Sequence, residues 1–400
     1  MLSHIFIAIF LGCFFGIFTG LIPGIHVNLI SIFVLSTSAH LLNLTSPIII
    51  SIFIISMAIT HTFLDTIPSI FLGAPEEGTA LSVLPGHKML LKGKGYEGVM
   101  LTLIGSFFSL ILAILISPLI AIIIKLIYPT LQSIMGFVLI LASCFLIIRE
   151  KKSRIWALII FLLAGILGLG VTNLPTLKNP LFPMLSGLFG TSTLIISLSE
   201  KSKIPKQKIT FPKIKKKEIT KVMCSSLLAG GLCSFLPGLG PSQAAIIGSS
   251  FYKKITQQGF MILIGGLNTI NMVLSFLALY LFNKARNGAI VAVSKIMESI
   301  TLRETILFFG VALVVGGIAV FLTIKITKIF AILFSKINYK KLLLSIIFLI
   351  TIMVFILSSQ FLGLLILIVS TFTGILPAKL GIGRNHLMGC LLLPVILYFL

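Results

Sequence analysis

Residues 20–28 read Gly-Leu-Ile-Pro-Gly-Ile-His-Val-Asn, and residues 234–242 read Ser-Phe-Leu-Pro-Gly-Leu-Gly-Pro-Ser. Each stretch interrupts a long apolar segment with Pro-Gly and continues with small hydroxyl or amide side chains. Proline removes a backbone donor and glycine frees the backbone, so a helix must stop and restart there. Inside a bilayer such a break is tolerated only where it is buried in protein or lines a wet cavity. Two breaks at matching places in two halves are typical of a transporter binding site.

The composition is that of a polytopic membrane protein. Hydrophobic residues make up 58% of the chain and charged residues only 10%, and the mean hydropathy is +1.19. A soluble domain usually has about 25% charged residues. Apolar runs long enough to span a bilayer recur along the whole sequence, and they are continuous rather than alternating, which excludes a β-barrel. We therefore predict an all-α polytopic membrane protein with broken or re-entrant helices.

The net charge of +22 could indicate a nucleic-acid partner. Most basic residues, however, lie in short loops between apolar segments, where the positive-inside rule places them. We therefore expect the lipid bilayer, and not nucleic acid, as the partner of these charges. The five cysteines are scattered in apolar segments without a metal-binding spacing. We predict no cofactor beyond a coupling ion.

Fourteen apolar segments divide into two sets of seven. We predict a first transmembrane repeat over 1–200, a basic cytoplasmic linker over 201–221, and a second transmembrane repeat over 222–400. The predicted segments are 4–22, 25–42, 46–64, 98–124, 129–148, 155–171, 181–198, 222–236, 238–252, 258–282, 303–334, 341–357, 360–376 and 385–400.

Loop charges predict that the two repeats are inverted. The first half has its basic loop between segments five and six, at 149–154, and the second half has it between segments four and five, at 336–341. If both loops are cytoplasmic, the halves cross the membrane in opposite senses, as an odd number of crossings requires. Both chain ends then lie outside. The alternative is that Gly and Pro recur by chance in any polytopic chain.

The restarted helix after each Pro-Gly presents free N–H groups and the positive end of its dipole. This geometry forms an anion site that needs no basic side chain. The alternative for each stretch is a simple loop or kink at the membrane edge. The predicted substrate-binding residues are Pro23, Gly24, Asn28, Pro237, Gly238, Gly240 and Ser242.

Asp65 follows an apolar run, and a carboxylate at membrane depth is expensive and usually functional. It could bind Na⁺ or carry a proton, and it could equally cap its helix at an aqueous end. The polar patch of the second half contains Asn268 and Asn271. We predict these three residues as the ion-coupling group.

Residues 73–99, GAPEEGTALSVLPGHKMLLKGKGYEGV, contain a Pro-rich turn, then Thr-Ala-Leu, then Pro-Gly-x-Lys and Lys-Gly. The stretch 236–240 reads Leu-Pro-Gly-Leu-Gly, and 22–26 has a histidine in place of the last glycine. With these motifs the chain resembles the large membrane subunit of tripartite tricarboxylate transporters. It departs from that family in being shorter and in lacking the Pro-Gly turn at 282–288.

The resemblance implies a secondary transporter driven by an ion gradient, served by an extracytoplasmic binding protein and a small membrane subunit. We thus predict a multi-pass permease of the cell membrane that carries a small anionic solute, of the carboxylate class, by alternating access. An integral membrane enzyme acting on a lipid-linked substrate and a passive anion channel are the alternatives. The sequence lacks an HExxH motif and paired carboxylates at depth, so we do not expect an enzyme.

Three basic groups lie near these stretches: Lys88, Lys284 with Arg286, and Lys379 with Arg384. Each could neutralise a substrate carboxylate. Each could equally be a loop charge that obeys the positive-inside rule, which we favour for Lys88.

Overall fold

The computed structural model describes a chain in which every regular element is a helix. The described residues are 2–22, 27–73, 77–150, 152–199, 205–235, 240–251, 255–285, 287–297, 299–334 and 339–400. No strand occurs within these ranges. The predicted all-α polytopic fold is therefore confirmed.

The first half contains eleven α-helices: α1 (Leu2–Leu21), α2 (Val27–Ser36), α3 (Ser38–Leu44), α4 (Pro47–Leu64), α5 (Thr66–Phe71), α6 (Val83–Leu90), α7 (Gly95–Ser133), α8 (Met135–Ile148), α9 (Arg154–Thr172), α10 (Leu181–Leu185) and α11 (Ser192–Ser199). A 3-10 helix (Glu77–Ser82) precedes α6, and a π-helical turn (Ser186–Thr191) joins α10 to α11.

The second half contains α12 (Lys216–Phe235), α13 (Pro241–Ser250), α14 (Gln257–Phe282), α15 (Gly288–Met297), α16 (Leu302–Phe334), α17 (Tyr339–Leu357), α18 (Phe361–Leu380) and α19 (Gly389–Phe399). A 3-10 helix (Arg384–Met388) leads into α19. The order of long and short helices is similar in the two halves. The repeat, its inversion and its boundaries stay predictions.

Within the described ranges, eight helical spans are long and apolar enough to cross a membrane. They are Leu2–Leu21, Pro47–Phe71, Gly95–Thr130, Arg154–Thr172, Leu181–Ser199, Gln257–Phe282, Leu302–Phe334 and Phe361–Leu380. Predicted segment 25–42 differs from this pattern because the chain divides there into the short helices α2 and α3. At 39 residues, α7 is about 58 Å long, far more than the roughly 30 Å hydrocarbon core requires.

Two spans form the centre of the molecule. Gln257–Phe282 is buried over 94% of its apolar window and Pro47–Phe71 over 83%, whereas Gly95–Thr130 is buried over only 28%. The remaining spans expose large apolar side chains such as Phe10 and Phe321. Large apolar side chains on the exterior are the arrangement expected in lipid.

The central helix α14 approaches α7 at backbone distance. A Cβ atom on Gly105 of α7 would overlap the carbonyl oxygen of Ile262 in α14, and one on Gly265 would overlap the carbonyl oxygen of Thr102. The hydroxyl of Ser106 donates to the Gly265 carbonyl oxygen at 3.0 Å. Small residues at such a crossing let van der Waals contact and hydrogen bonds replace the hydrophobic driving force that is missing in lipid.

Several helices of the first half pack against helices of the second half. Helix α9 of the first half packs on α19 of the second, and α18 packs on the π-helical turn. Glycines again allow the contact, because a Cβ on Gly168 would overlap the Cys390 carbonyl and one on Gly374 would overlap the Leu188 carbonyl. Neither half is therefore a separately packed body.

Part of the predicted linker packs against the rest of the protein. Its residues 201–204 lie outside the described part of the chain, and from Lys216 onward it belongs to α12. Gln207 is only 6% exposed. It accepts from the Gly95 N–H at 2.9 Å and donates to the Leu90 carbonyl oxygen at 3.0 Å. The predicted linker is therefore not exposed along its whole length, because Gln207 is buried against the end of α6 and the start of α7.

The glycine crossing gives a test of the packing. Gly105→Ala or Gly265→Ala should lower the thermal midpoint in detergent, because overpacking costs about 1–3 kcal/mol. Gly310→Ala in α16 is the matched control, since a Cβ there meets nothing within 4 Å. The control should be neutral or stabilising by about 0.5–1 kcal/mol. Equal midpoints for all three variants would contradict the crossing.

Candidate functional site

Both predicted helix breaks lie between described helices. Helix α1 ends at Leu21 and α2 begins at Val27, while α12 ends at Phe235 and α13 begins at Pro241. Four of the predicted binding residues fall in the intervals between them, outside the described residues: Pro23, Gly24, Pro237 and Gly238.

The remaining residues of the two stretches lie at helix starts. The side-chain oxygen of Asn28 accepts from the Ala289 N–H at 3.2 Å, at the first turn of α15. The Gly240 carbonyl oxygen accepts from the Ala244 N–H at 3.1 Å, where α13 begins. Ser242 is buried in the same turn. An anion-binding role for these helix starts stays a prediction.

Two of the predicted coupling residues meet in the protein interior. Asp65 lies at the joint between α4 and α5, and Asn268 lies in the middle of α14. The Asn268 amide donates from Nδ2 to Asp65 Oδ2 at 2.6 Å. Asp65 is 3% exposed and Asn268 is 9% exposed. The Asp65 side chain does not cap α5. The alternative of a cap at an aqueous helix end therefore does not describe this residue.

Hydroxyl groups surround this pair. Thr66 and Thr102 share a hydrogen bond of 3.1 Å between α5 and α7. Ser69 donates to the backbone oxygen of Asp65 at 3.0 Å. His61 is buried one helical turn before Asp65. The centre of the molecule thus contains a seam of buried polar groups, which are expensive at membrane depth.

Asn271 lies one turn further along α14 than Asn268. Its side-chain oxygen is 3.6 Å from the sulfur of Cys233 in α12. The structure therefore joins Asp65 with Asn268 and places Asn271 toward α12. Within the described residues, no group of three or more His, Cys, Asp or Glu side chains could hold a metal ion.

A second polar region is a cavity of about 620 Å³ between the two halves. We call it the basic cavity, because three cations line it: Lys88 of α6, Arg149 after α8, and Arg384 before α19. Helices α13 and α14 also contribute to the wall. The lining of the basic cavity also includes Glu150, Phe189, Ser249, Phe260, Asn385 and His386.

A charge network crosses the basic cavity from one half to the other. The His386 Nε2–H donates to Glu150 Oε2 at 3.1 Å. The same carboxylate accepts from the N–H groups of Gly383 at 3.0 Å and Lys152 at 3.2 Å. Burial acts to raise the pKa of Glu150, but the hydrogen bonds from Gly383, His386 and Lys152 outweigh it and hold the pKa below its ordinary value.

Arg384 is the buried cation of the basic cavity, with 9% of its surface exposed. Its Nη1 donates to the hydroxyl of Thr193 in α11. Thr193 in turn donates to the Phe189 carbonyl oxygen at 2.6 Å. Of the other basic groups singled out above, Lys284 instead donates to the Tyr128 hydroxyl at 3.2 Å. Arg286 lies outside the described residues.

Sequence reasoning missed Glu150, His386 and Thr193. Glu150 is the one acidic residue in the basic loop 149–154. An acidic residue among basic ones was the sequence signal that could have identified it. His386 and Thr193 carry no local signal, because a partner 236 residues away in sequence decides the role of His386.

Comparison with known proteins agrees with this architecture. Residues 6–389 match the model of the family described as "Tripartite tricarboxylate transporter TctA family". The chain belongs to the tripartite tricarboxylate transporter TctA family. Within curated proteins, it is 30% identical over 356 residues to an uncharacterized protein of Methanocaldococcus jannaschii, covering 87% of this chain and 88% of that protein. No solved structure matches the chain. The family match confirms the resemblance and supports a transporter of the membrane.

The buried pair of this TctA-family protein can be tested by a double-mutant cycle. Asn268→Ala should destabilise the fold by about 1–3 kcal/mol, because it leaves a buried carboxylate without its amide donor. Asp65→Ala with Asn268→Ala should then cost less than the sum of the single variants. Asn173→Ala, at an exposed amide after α9, is the control and should stay within about 0.5 kcal/mol of the parent. Additive effects at Asp65 and Asn268 would contradict the contact.

The charge network predicts a pH dependence of stability. Because the pKa of Glu150 is lowered from its ordinary value of 4.5, its stabilisation is complete above that pH and is lost as the pH falls through the folded-state pKa. The thermal midpoints of the parent and Glu150→Gln should therefore differ at pH 7 and converge as the pH falls below 4.5. A difference that stays constant down to the lowest pH would contradict the role of the charge.

Proposed function

We propose that this chain is an ion-coupled secondary transporter for a small anionic solute of the carboxylate class, working by alternating access. The observation that carries the proposal is the buried Asp65–Asn268 hydrogen bond between the two central helices. A carboxylate kept at the centre of a membrane protein is costly and needs a functional reason.

Asp65 has the chemistry of a coupling group. A carboxylate can carry a proton, or it can bind Na⁺ together with amide and hydroxyl oxygens, which are the ligands that hard cations prefer. Asn268 and the hydroxyls of Thr66 and Ser69 supply such oxygens nearby. Asn271 one turn further along would extend the path of the ion toward α12. The coupling ion is therefore H⁺ or Na⁺.

The anionic solute fits the rest of the architecture. Helices α2 and α13 begin just after the two Pro-Gly stretches, with Val27 and Ser242 buried in their first turns, and helix N-termini favour anions. Asn28 and Ser242 provide neutral polar groups at those starts. The family name adds the carboxylate class. Tripartite assembly further supports an extracytoplasmic binding protein and a small membrane subunit as partners.

The orientation follows from loop charge. The basic loop at 149–154 and the linker at 201–221 belong on the cytoplasmic side by the positive-inside rule. Both chain ends then lie outside. The basic cavity, which Arg149 and Lys88 line, faces the cytoplasm in this orientation.

Reconstitution in liposomes tests the proposal. We expect uptake of radiolabelled citrate or succinate that depends on an imposed Na⁺ or proton gradient. Asp65→Asn should reduce gradient-driven uptake at least tenfold, corresponding to about 1.4 kcal/mol of lost coupling. Glu304→Gln is the matched control, because this carboxylate lies at the exposed start of α16, and it should transport like the parent.

Two outcomes would contradict the transport cycle. Solute flux that is unchanged when both gradients are collapsed would favour a passive channel. Full gradient-driven uptake by Asp65→Asn would remove Asp65 from the coupling group. Addition of a purified binding protein to the liposomes tests the partner prediction separately.

A further inference from the structure

The basic cavity is distinct from the Asp65–Asn268 pair in its charge. Lys88, Arg149 and Arg384 line it together with Glu150, so three cations share the cavity with one carboxylate. That carboxylate is already engaged by His386 and two backbone N–H groups. The lining therefore keeps an excess of positive charge toward the space inside.

Arg384 is the cation of this lining that the fold buries. A buried charge is costly unless a partner compensates it. Its side-chain hydrogen bond goes to the neutral hydroxyl of Thr193. Within the described residues, no carboxylate forms an ion pair with Arg384. Since the guanidinium has five N–H donors in a planar fork, most of its capacity remains for an acceptor in the cavity.

The remaining walls suit a small organic anion. Phe189 and Phe260 supply apolar surface, and Asn385, next to Arg384 in sequence, supplies an amide. The volume of about 620 Å³ lies within the range of small-molecule sites, which is roughly 300–1,000 Å³. Ser249 of α13 lines the same space, so the cavity reaches the helix that restarts after the second Pro-Gly break.

We propose that the basic cavity binds a dissolved small oxyanion, with Arg384 as the central ligand and with Lys88 and Arg149 at its entrance. Thr193 is the positioning residue that holds the guanidinium. The proposal rests on the proposed function in one respect, since it takes the basic cavity as a solute-binding site that faces the cytoplasm. Side chains from both halves of the chain would bind the solute there.

Cysteine protection tests binding without any gradient. The exposed thiols are replaced by Cys144→Ser and Cys224→Ser, and Ser249→Cys places a reporter in the cavity wall. The rate of modification by N-ethylmaleimide is measured against citrate, succinate and sulfate at constant ionic strength, with chloride as the blank. We expect at least one of the three anions to slow the modification in a saturable way at concentrations up to about 10 mM.

Variants identify the ligand side chain. Arg384→Gln should raise the half-protecting concentration by about tenfold or more, and Arg384→Lys should restore part of the protection. Arg154→Gln is the matched control, since Arg154 is exposed at the start of α9 and does not line the cavity. If Arg384→Gln does not fold, the pair Lys88→Gln with Arg149→Gln tests the same charge at exposed positions, and the same loss is expected.

Three results would overturn the proposal. The first is a modification rate that none of the anions changes. The second is protection that Arg384→Gln, or the Lys88 and Arg149 pair, leaves unaltered. The third is protection by phosphatidylglycerol nanodiscs in the absence of dissolved anion, which would assign the cations to a lipid headgroup. None of these results depends on ion-coupled uptake, so the liposome experiment can succeed while this proposal fails.

Discussion

The hydrogen bond from the Asn268 amide to the Asp65 carboxylate is the central constraint on the interior of this protein. The bilayer core contains no water that could hydrogen-bond to a carboxylate, so the protein itself must supply the hydrogen-bond donors. The two most buried spans of the molecule supply the two partners. The glycine crossing brings Thr102 of α7 against Gly265 of α14. Thr102 in turn shares a hydrogen bond with Thr66, the residue after Asp65, so the close approach of these helices helps to form the hydroxyl-lined seam.

The two polar regions divide the chemistry between them. The Asp65 region is enclosed, and neutral hydroxyl and amide groups surround one carboxylate. The oxygens of these groups suit a small cation, and the carboxylate suits a proton. The basic cavity is open and cationic, which suits an anion. In the proposed transport cycle, helix movement would couple the two regions. Helix α14 touches both regions, since Asn268 lies in its middle and Gln257 at its start lines the cavity.

Local pattern predicted much of the fold. Apolar run length gave the all-α membrane class, and Pro-Gly predicted helix interruptions that fall between α1 and α2 and between α12 and α13. The cost of a buried carboxylate singled out Asp65, and its partner Asn268 was among the predicted residues. Long-range partners could not be predicted in this way. Glu150 meets His386 through tertiary packing alone, and Gln207 is held by backbone groups more than a hundred residues away. Loop charge predicts topology but does not identify which loop residue turns inward.

The exchange of α9 and α19 between the halves has a consequence for how the chain is assembled. The sequence unit suggested by the two Pro-Gly stretches is not the folding unit, because each half leaves apolar and glycine-lined surface that only the other half covers. Since α19 follows α9 by more than two hundred residues, α9 reaches its native packing only after α19 has been inserted beside it.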